Sequence, residues 1–331
     1  MDRGADSGPD RAGRACVSLA RCAEWTPSGV ARAVDEALRG LGGIERFVRP
    51  GQRVLLKPNL VSAKPPEAAA TTHPWVVERV IQLVQAVGAE PFLGDSPAWG
   101  WLPANARACG VAAVAERYQV PLVEFDQPVR VPCPFPQVAA SFYVDRRVVE
   151  ADVILHLPKL KAHGQLGYTA ALKSIYGCMP GKRKALWHLR CSRRDSDFAR
   201  LLVAFHATVA PTLHLVDGIW AMQGAGPVRG QPRFLGILAA SPDAAAVDTV
   251  LCNLLQAPPS HRLLLEAARS LGFGETEESR IQLLGEPPAS FRVEDWEWPP
   301  LAGVGFSLPR VVRSVLRNLW LVHRQRRVRG T

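Results

Sequence analysis

The sequence has few of the features that hold a metal cluster or cross a membrane. Its seven cysteines are scattered along the chain, without any C-x-x-C pair. Iron–sulfur clusters and structural zinc sites usually need closely spaced thiolates, so we expect neither on this chain and assign no metal ligands. The polar N-terminus lacks the apolar run of a signal peptide, and no apolar stretch approaches the ~20 residues of a spanning helix. We therefore expect a cytoplasmic protein.

Negative charge is absent from the last part of the chain. The net charge is +10, yet seven arginines and no acid follow Trp298, so most of the excess belongs to this tail. The near-balanced body argues against a specific nucleic-acid partner. In the tail, the spacing of residues 310–327 predicts a basic amphipathic helix. Its polar side carries Arg310, Arg313, Arg317 and Arg324. Such a helix either docks on the body or binds an anionic membrane surface or an acidic partner.

Short apolar strands alternate with helical patterns through most of the chain. The alternation predicts an α/β fold with a mainly parallel sheet, helices on both faces and a ligand cleft at the carboxyl ends of the strands. We expect a disordered N-terminus at residues 1–15, an α/β domain at 16–297 and the basic tail at 298–331. Residues 128–136 are interpreted as a proline-rich excursion, and residues 181–184 as a basic loop.

Residues 152–177 are the most informative stretch. A short strand at 152–156 is followed by Lys159, Lys161 and His163, which share one side of an extended backbone because side chains alternate. A helix is expected to open near residues 168–169, with Lys173 in its next turn. The unpaired N–H groups and positive dipole end of that helix, beside these cations, predict an anion-binding site.

Other polar residues follow predicted strands and join the candidate site. Lys57 and Asn59 follow one strand, Asp95 another, and Asp217 with Gly218 a third. Turn formation explains the aspartates equally well, but lysine is not a turn former. Asp248, within a predicted helix, is either a ligand or a satisfied polar residue.

His163 and Lys161 are the candidate catalytic residues. The ordinary pKa of histidine suits proton donation near neutrality, and adjacent lysines would lower it. The glycine-rich run around Gly226 precedes a strand, which weakens it as a dinucleotide motif. We expect residues 221–231 to form a mobile loop that closes over the site.

Several segments together resemble the domain-of-unknown-function family 362. They are LLKPNL at 55–60, TTHP at 71–74, GDSP at 94–97, HLPKLKAHG at 156–164, ALKSIYG at 171–177 and DGIWAMQGAGPVRG at 217–230. The segment from Asp243 to Asp248 matches too. The chain departs from the family pattern at Ser174, where asparagine is common, and in lacking an appended ferredoxin-like cysteine segment.

The resemblance implies a conserved ligand site and a link to iron–sulfur proteins. From it we expect an enzyme that acts on an anionic small molecule in a redox-linked reaction, with an unknown cofactor. The alternative is a non-catalytic binding or electron-transfer partner of a separate ferredoxin-like protein.

Overall fold

The computed structural model describes residues 14–181, 183–191, 194–303, 322, 323 and 325. Its strands are β1 (Ala15–Arg21), β2 (Arg53–Pro58), β3 (Glu90–Asp95), β4 (Leu122–Glu124), β5 (Pro128–Pro132), β6 (Ser141–Asp145), β7 (Val153–Leu157), β8 (Lys159–His163), β9 (Gly167–Thr169), β10 (Leu213–Gln223), β11 (Gln231–Ser241) and β12 (Ile281–Gly285). Its helices are α1 (Pro27–Arg39), α2 (Pro74–Ala86), α3 (Leu102–Ala108), α4 (Val111–Arg117), α5 (Arg146–Val149), α6 (Ala171–Ser174), α7 (Arg183–Arg190), α8 (Asp195–Val209), α9 (Ala244–Leu254) and α10 (Leu263–Leu271).

The main sheet confirms the predicted α/β class. Its strand order is β12-β1-β11-β10-β7-β2-β3-β4, with β8 and β9 attached beside β10. The neighbours from β10 to β4 are parallel, as are β1 and β12. β11 runs antiparallel to both β1 and β10. The sheet is therefore mainly parallel, with β11 and the attached strand β9 reversed.

Helices cover both faces of the sheet, as predicted. Neighbouring residues of β2 show why, because Leu55 lies in one hydrophobic cluster and Leu56 in the other. Val34 of α1 and Val80 of α2 pack on the Leu56 side, whereas α6, α8, α9 and α10 supply the Leu55 side. A strand buried on both faces needs apolar side chains in both directions, and this requirement produces its unbroken apolar run.

Two of the helices begin at local sequence signals for a helix start. The Thr26 hydroxyl accepts a hydrogen bond from Gly29 N at the start of α1, and Pro27 occupies the first turn. α2 begins at Pro74 in the same manner. Proline fits the first turn of a helix because the missing N–H has no partner there in any case.

The strand before the glycine-rich run is longer than the sequence predicts. We expected it to end at Asp217 and Gly218, but β10 continues to Gln223. Its first part pairs with β7 and its later part with β8, which follows β7 after Pro158. Asp217 and Gly218 therefore lie inside a strand, and the predicted loop shrinks to residues 224–230.

Two irregular segments of the sequence prove to be regular. Part of the proline-rich excursion forms β5, which pairs antiparallel with β6 in a two-stranded ribbon. Prolines at the ends of β5 are tolerated because a ribbon consists of edge strands. The predicted basic loop ends early, since α7 begins at Arg183.

The predicted tail can be followed only in part. Ala302 N donates to Gly164 O (2.7 Å), so the chain just beyond Trp298 still contacts the body. Trp101 N donates to Gln325 Oε1 (2.8 Å). Residues 1–13 and the four arginines of the predicted basic helix, Arg310, Arg313, Arg317 and Arg324, lie outside the described residues. Among the described helices, none has the length and apolar character needed to span a bilayer.

Candidate functional site

A buried ion pair forms where β2 and β3 end. Lys57 Nζ lies 3.0 Å from Asp95 Oδ1, and both side chains are almost fully buried. The same carboxylate accepts hydrogen bonds from Leu60 N and Ser96 N, each at 2.9 Å. Because parallel neighbours end at the same edge of a sheet, two predicted site residues meet here.

Gly177 is required by this ion pair. A Cβ atom at Gly177 would lie 2.1 Å from Asp95 Oδ1 and 2.7 Å from Lys57 Nζ. Only glycine allows the backbone after α6 to approach the pair this closely. The ion pair thereby connects the sheet edge to the segment that follows Lys173.

Lys161 reaches the same region from β8 and bonds only to neutral acceptors among the described residues. Its Nζ donates to Ala70 O (2.7 Å) and to Asn59 Oδ1 (3.2 Å). The side chain is fully buried, and burial together with repulsion from Lys173 and Lys159 lowers its pKa well below the ordinary value. The amide of Asn59 also donates to Ser174 Oγ (3.1 Å), which ties Lys161 to α6.

Lys159 belongs to a second buried ion pair. Its Nζ donates to Asp217 Oδ2 (2.8 Å), and the same oxygen accepts a hydrogen bond from His73 N (2.9 Å). Burial lowers the pKa of Lys159, and attraction to Asp217 partly opposes that shift. Lys161 bonds directly to the segment 59–73, whereas Lys159 is connected to it through Asp217. The ammonium groups of both lysines are buried and bonded to protein atoms, however, so neither side chain faces an open cleft.

Lys173 is the least compensated of the predicted site lysines. It is partly exposed, and it makes no hydrogen bond or ion pair with the residues that the structure describes. Burial, followed by repulsion from Lys57, lowers its pKa from 10.5 to about 8, although Asp95 partly offsets the shift. Near neutral pH this amine can therefore both hold and release its proton.

Lys184, on α7, is a further cation that sequence reasoning did not assign to the site. Its Nζ donates to the backbone oxygen of Ser96 and to Ser96 Oγ (3.0 Å). Burial lowers the pKa of this partly exposed lysine to about 8, with Lys57 and Lys173 adding repulsion and Asp95 opposing them. The basic run at 182–184 was a signal, but nothing in it predicted contact with Ser96.

His163 is buried and neutral. Burial, then repulsion from Lys173 and Lys161, lowers its pKa well below the ordinary value. The sequence prediction named the lysines, whereas burial is the larger cause. Gln165 N donates to His163 Nδ1 (3.3 Å), which leaves the proton on Nε2. The ring is thus arranged to donate a hydrogen bond from Nε2 rather than to carry a positive charge.

The start of α6 is already occupied by a protein carboxylate. Ala171 N and Leu172 N donate to Asp248 at 2.8 and 3.1 Å. The sequence predicted that these N–H groups would be free for an anion, and this detail is wrong. Asp248 instead fixes the short helix that carries Lys173, with a pKa that burial raises to about 7.

The two predicted glycine ligands are held by close backbone packing. A Cβ at Gly226 would lie 1.9 Å from Ala162 O, and one at Gly218 would lie 3.1 Å from a side-chain carbon of Leu160. Gly164 N also donates to Gly226 O (3.4 Å). The loop therefore lies against the end of β8, where Gly226 allows the close contact.

Four lysines and one carboxylate make up the charged centre of the site. We define the lysine cluster as Lys57, Lys161, Lys173 and Lys184. Only Lys57 has a carboxylate partner among the described residues, namely Asp95. The described His, Cys, Asp and Glu side chains form no group of three suited to a metal ion. This uncompensated positive charge can bind an anion, and amines with a pKa near 8 can exchange a proton with it.

Comparisons with known proteins agree with the motifs. A family model described as Domain of unknown function (DUF362) matches residues 54–253. The thylakoid-associated protein sll1697 of Synechocystis sp. is 37% identical over 309 residues, which cover 92% of this chain and 94% of that protein. The solved structure of the lactate racemase apoprotein from Thermoanaerobacterium thermosaccharolyticum has a TM-score of 0.45 and 10% identity, over 72% of this chain and 56% of that one. The family model covers more than half of the chain, and the chain belongs to the DUF362 family.

Proposed function

We propose that this protein is an enzyme that binds an anionic small molecule at the lysine cluster. The observation that carries the proposal is Lys173, a partly exposed ammonium group without a hydrogen-bond or ion-pair partner among the described residues. Uncompensated charge in a low-dielectric site is costly, and a bound carboxylate or phosphate would offset that cost. The body of the chain is otherwise nearly balanced in charge, so this concentration of cations is local.

Each residue of the site has a role in this proposal. Lys173 contacts the anion and exchanges a proton with it, because its pKa of about 8 lies near neutrality. We assign this role to Lys173 instead of His163, whose Nε2–H would only donate a hydrogen bond. Helix α6 is held in position by the hydrogen bonds that connect Ser174, Asn59 and Lys161. The Lys57–Asp95 pair packs against Gly177, just after this helix.

Binding of simple anions tests the proposal directly. Isothermal titration calorimetry with malonate should show saturable binding to the intact protein that weakens as salt is added. Lys173→Ala should weaken it about 10- to 150-fold, since a hydrogen bond to a charged group contributes about 1.5–3 kcal/mol. Lys64→Ala is the matched control, because Lys64 is a partly exposed lysine outside the cluster. Equal affinities for Lys173→Ala and the parent protein would refute the proposal.

A redox-linked reaction with a separate ferredoxin-like partner is the finer form of this proposal. Its support is the family resemblance, which links relatives to iron–sulfur segments. The competing function is non-catalytic electron transfer or binding to that partner. Reduced ferredoxin mixed with the protein should be oxidised only when a substrate anion is present if the protein is an enzyme. Binding of ferredoxin to the protein, without oxidation when candidate anions are added, would favour the non-catalytic function.

We also propose peripheral attachment to an anionic membrane surface. The support is the relative described as thylakoid-associated, together with the predicted basic helix that carries Arg310, Arg313, Arg317 and Arg324. Each basic residue near such a surface is worth about 1 kcal/mol. Removing residues 306–331 should abolish salt-sensitive binding to phosphatidylserine vesicles and lower the melting temperature only slightly, since the hydrogen bond from Trp101 N to Gln325 contributes about 1 kcal/mol. A much lower melting temperature, with no vesicle binding by either form, would show that the segment docks on the body.

A further inference from the structure

We infer that the ligand of the lysine cluster is a small dianion, a dicarboxylate or a phosphate monoester, and that Lys184 binds its second negative charge. The inference rests on the proposed function, since it specifies the ligand of the same site. It starts from the arrangement of charges around the Lys57–Asp95 pair and not from the chain's overall charge.

The described part of the cluster is short of negative charge by more than one unit. Lys161 bonds to an amide and a carbonyl oxygen, Lys184 bonds to a serine, and Lys173 has no bonded partner there. Asp95, the one carboxylate paired with a cluster lysine among the described residues, forms its ion pair with Lys57. A monoanion would leave two positive charges uncompensated when all four amines are protonated, whereas a dianion would leave one. Electrostatic complementarity therefore favours the dianion.

The neighbouring titratable groups do not supply the missing charge. Burial raises the pKa of Cys178 to about 12, so this thiol stays protonated near neutral pH. His163 and His188 stay neutral, because burial lowers the pKa of both rings. Asp145, farther away, is already paired with Arg147. These described groups leave the positive charge of the cluster in place, and a bound anion would supply the counter-charge.

The two partly exposed amines come from two separate helices, α6 and α7. Lys173 lies on α6, and the Asn59–Ser174 hydrogen bond holds this helix. Lys184 lies on α7 and is bonded to Ser96, whose own N–H donates to the Asp95 carboxylate. Two ammonium groups on separate helices suit a ligand with two anionic ends, or a phosphoryl group with two charged oxygens.

Proton uptake on binding follows from the same charges. Lys173 and Lys184 have pKa values of about 8, lowered first by burial and then by repulsion within the cluster. A bound dianion attracts protons, so it raises both values. Near pH 8 each amine is about half protonated when free, and binding should take up as much as about one proton in total.

Calorimetry with two matched probes tests the inference. Malonate is a dianion near pH 8, and its half-amide malonamate is a monoanion of nearly the same size and shape. Malonate should bind at least about tenfold more tightly, which corresponds to about 1.4 kcal/mol. Its apparent binding enthalpy should change with the ionisation enthalpy of the buffer, in the direction of proton uptake. Lys184→Gln, which keeps a donor for Ser96, should reduce the preference to about twofold or less. Arg183→Gln is the control, because this neighbouring cation packs over Tyr143 instead.

The outcomes separate this inference from the proposed function. If malonate and malonamate bind equally, and Lys173→Ala binds neither, the preference for a dianion is refuted while the proposed anion binding stands. A preference for malonate that persists in Lys184→Gln would overturn the role of Lys184. Absence of binding by either probe would overturn both. Preference, proton uptake and the selective effect of Lys184→Gln together would support the inference.

Discussion

Replacing Gly177 by alanine tests whether the Lys57–Asp95 pair organises the site. The new Cβ would lie 2.1 Å from Asp95 Oδ1 and 2.7 Å from Lys57 Nζ, so at least one charged group must move. Moving the carboxylate also strains its hydrogen bonds from two backbone N–H groups. Separating a buried pair leaves uncompensated charge, which costs about 3–5 kcal/mol. We expect the free energy of unfolding to fall by that amount.

Thermal unfolding followed by circular dichroism gives the measurement. At about 2 °C per kcal/mol, the melting temperature of Gly177→Ala should fall by about 6–10 °C. Gly164→Ala is a suitable control, since the nearest atom to its Cβ is Gly226 O at 3.8 Å and its backbone is not in the left-handed region. The control should change stability by less than about 0.5 kcal/mol. If Gly177→Ala has the same melting temperature as the parent protein, the ion pair does not depend on this close approach of the backbone.

Three further substitutions probe the neighbouring contacts. Asp248→Ala removes the acceptor for two buried N–H groups of α6, so denaturant titration should show a loss of about 2–5 kcal/mol. Lys173→Met removes an amine whose pKa is lowered in the folded state, from 10.5 to about 8. The free energy of unfolding of the parent protein, relative to that of the variant, should therefore fall as the pH drops from about 10.5 to about 8. The fall should be no more than about 3 kcal/mol, and the difference should stay constant below about pH 8. Gly226→Ala brings a Cβ to 1.9 Å from Ala162 O, so it should destabilise the fold by more than about 1 kcal/mol, and unchanged unfolding would contradict the packing described.

Local sequence signals were enough to predict most of the helices and strands, although not α3, α5 or α7. Thr26 followed by Pro27 marks the start of α1 because both residues act within one turn. Apolar runs likewise located β2 and β3. These features depend on neighbours a few residues apart, which the sequence displays directly.

The partners of the charged residues could not be predicted in this way. Asp95 is 38 residues from Lys57 in the chain, and Asp217 is 58 from Lys159. Each pair forms because of the strand order, which periodicity does not encode. From the sequence, these aspartates could form turns or bind a ligand. In the structure, Asp95 and Asp217 each form an ion pair with a lysine instead. The continuation of β10 was missed for a related reason, since Gly218 reads as a turn residue until its close contact with Leu160 is known.

The segment between β2 and α2 has a consequence for amide hydrogen exchange. It contains little regular structure, yet Leu60 N donates to Asp95 and His73 N donates to Asp217, so each of its ends is bonded to a buried carboxylate. Asn59 N and Thr72 N also donate across its base, to Thr72 Oγ1 and Asn59 O. These amides open to solvent only when an ion pair separates, so their exchange rates should match those of the central strands rather than those of surface loops.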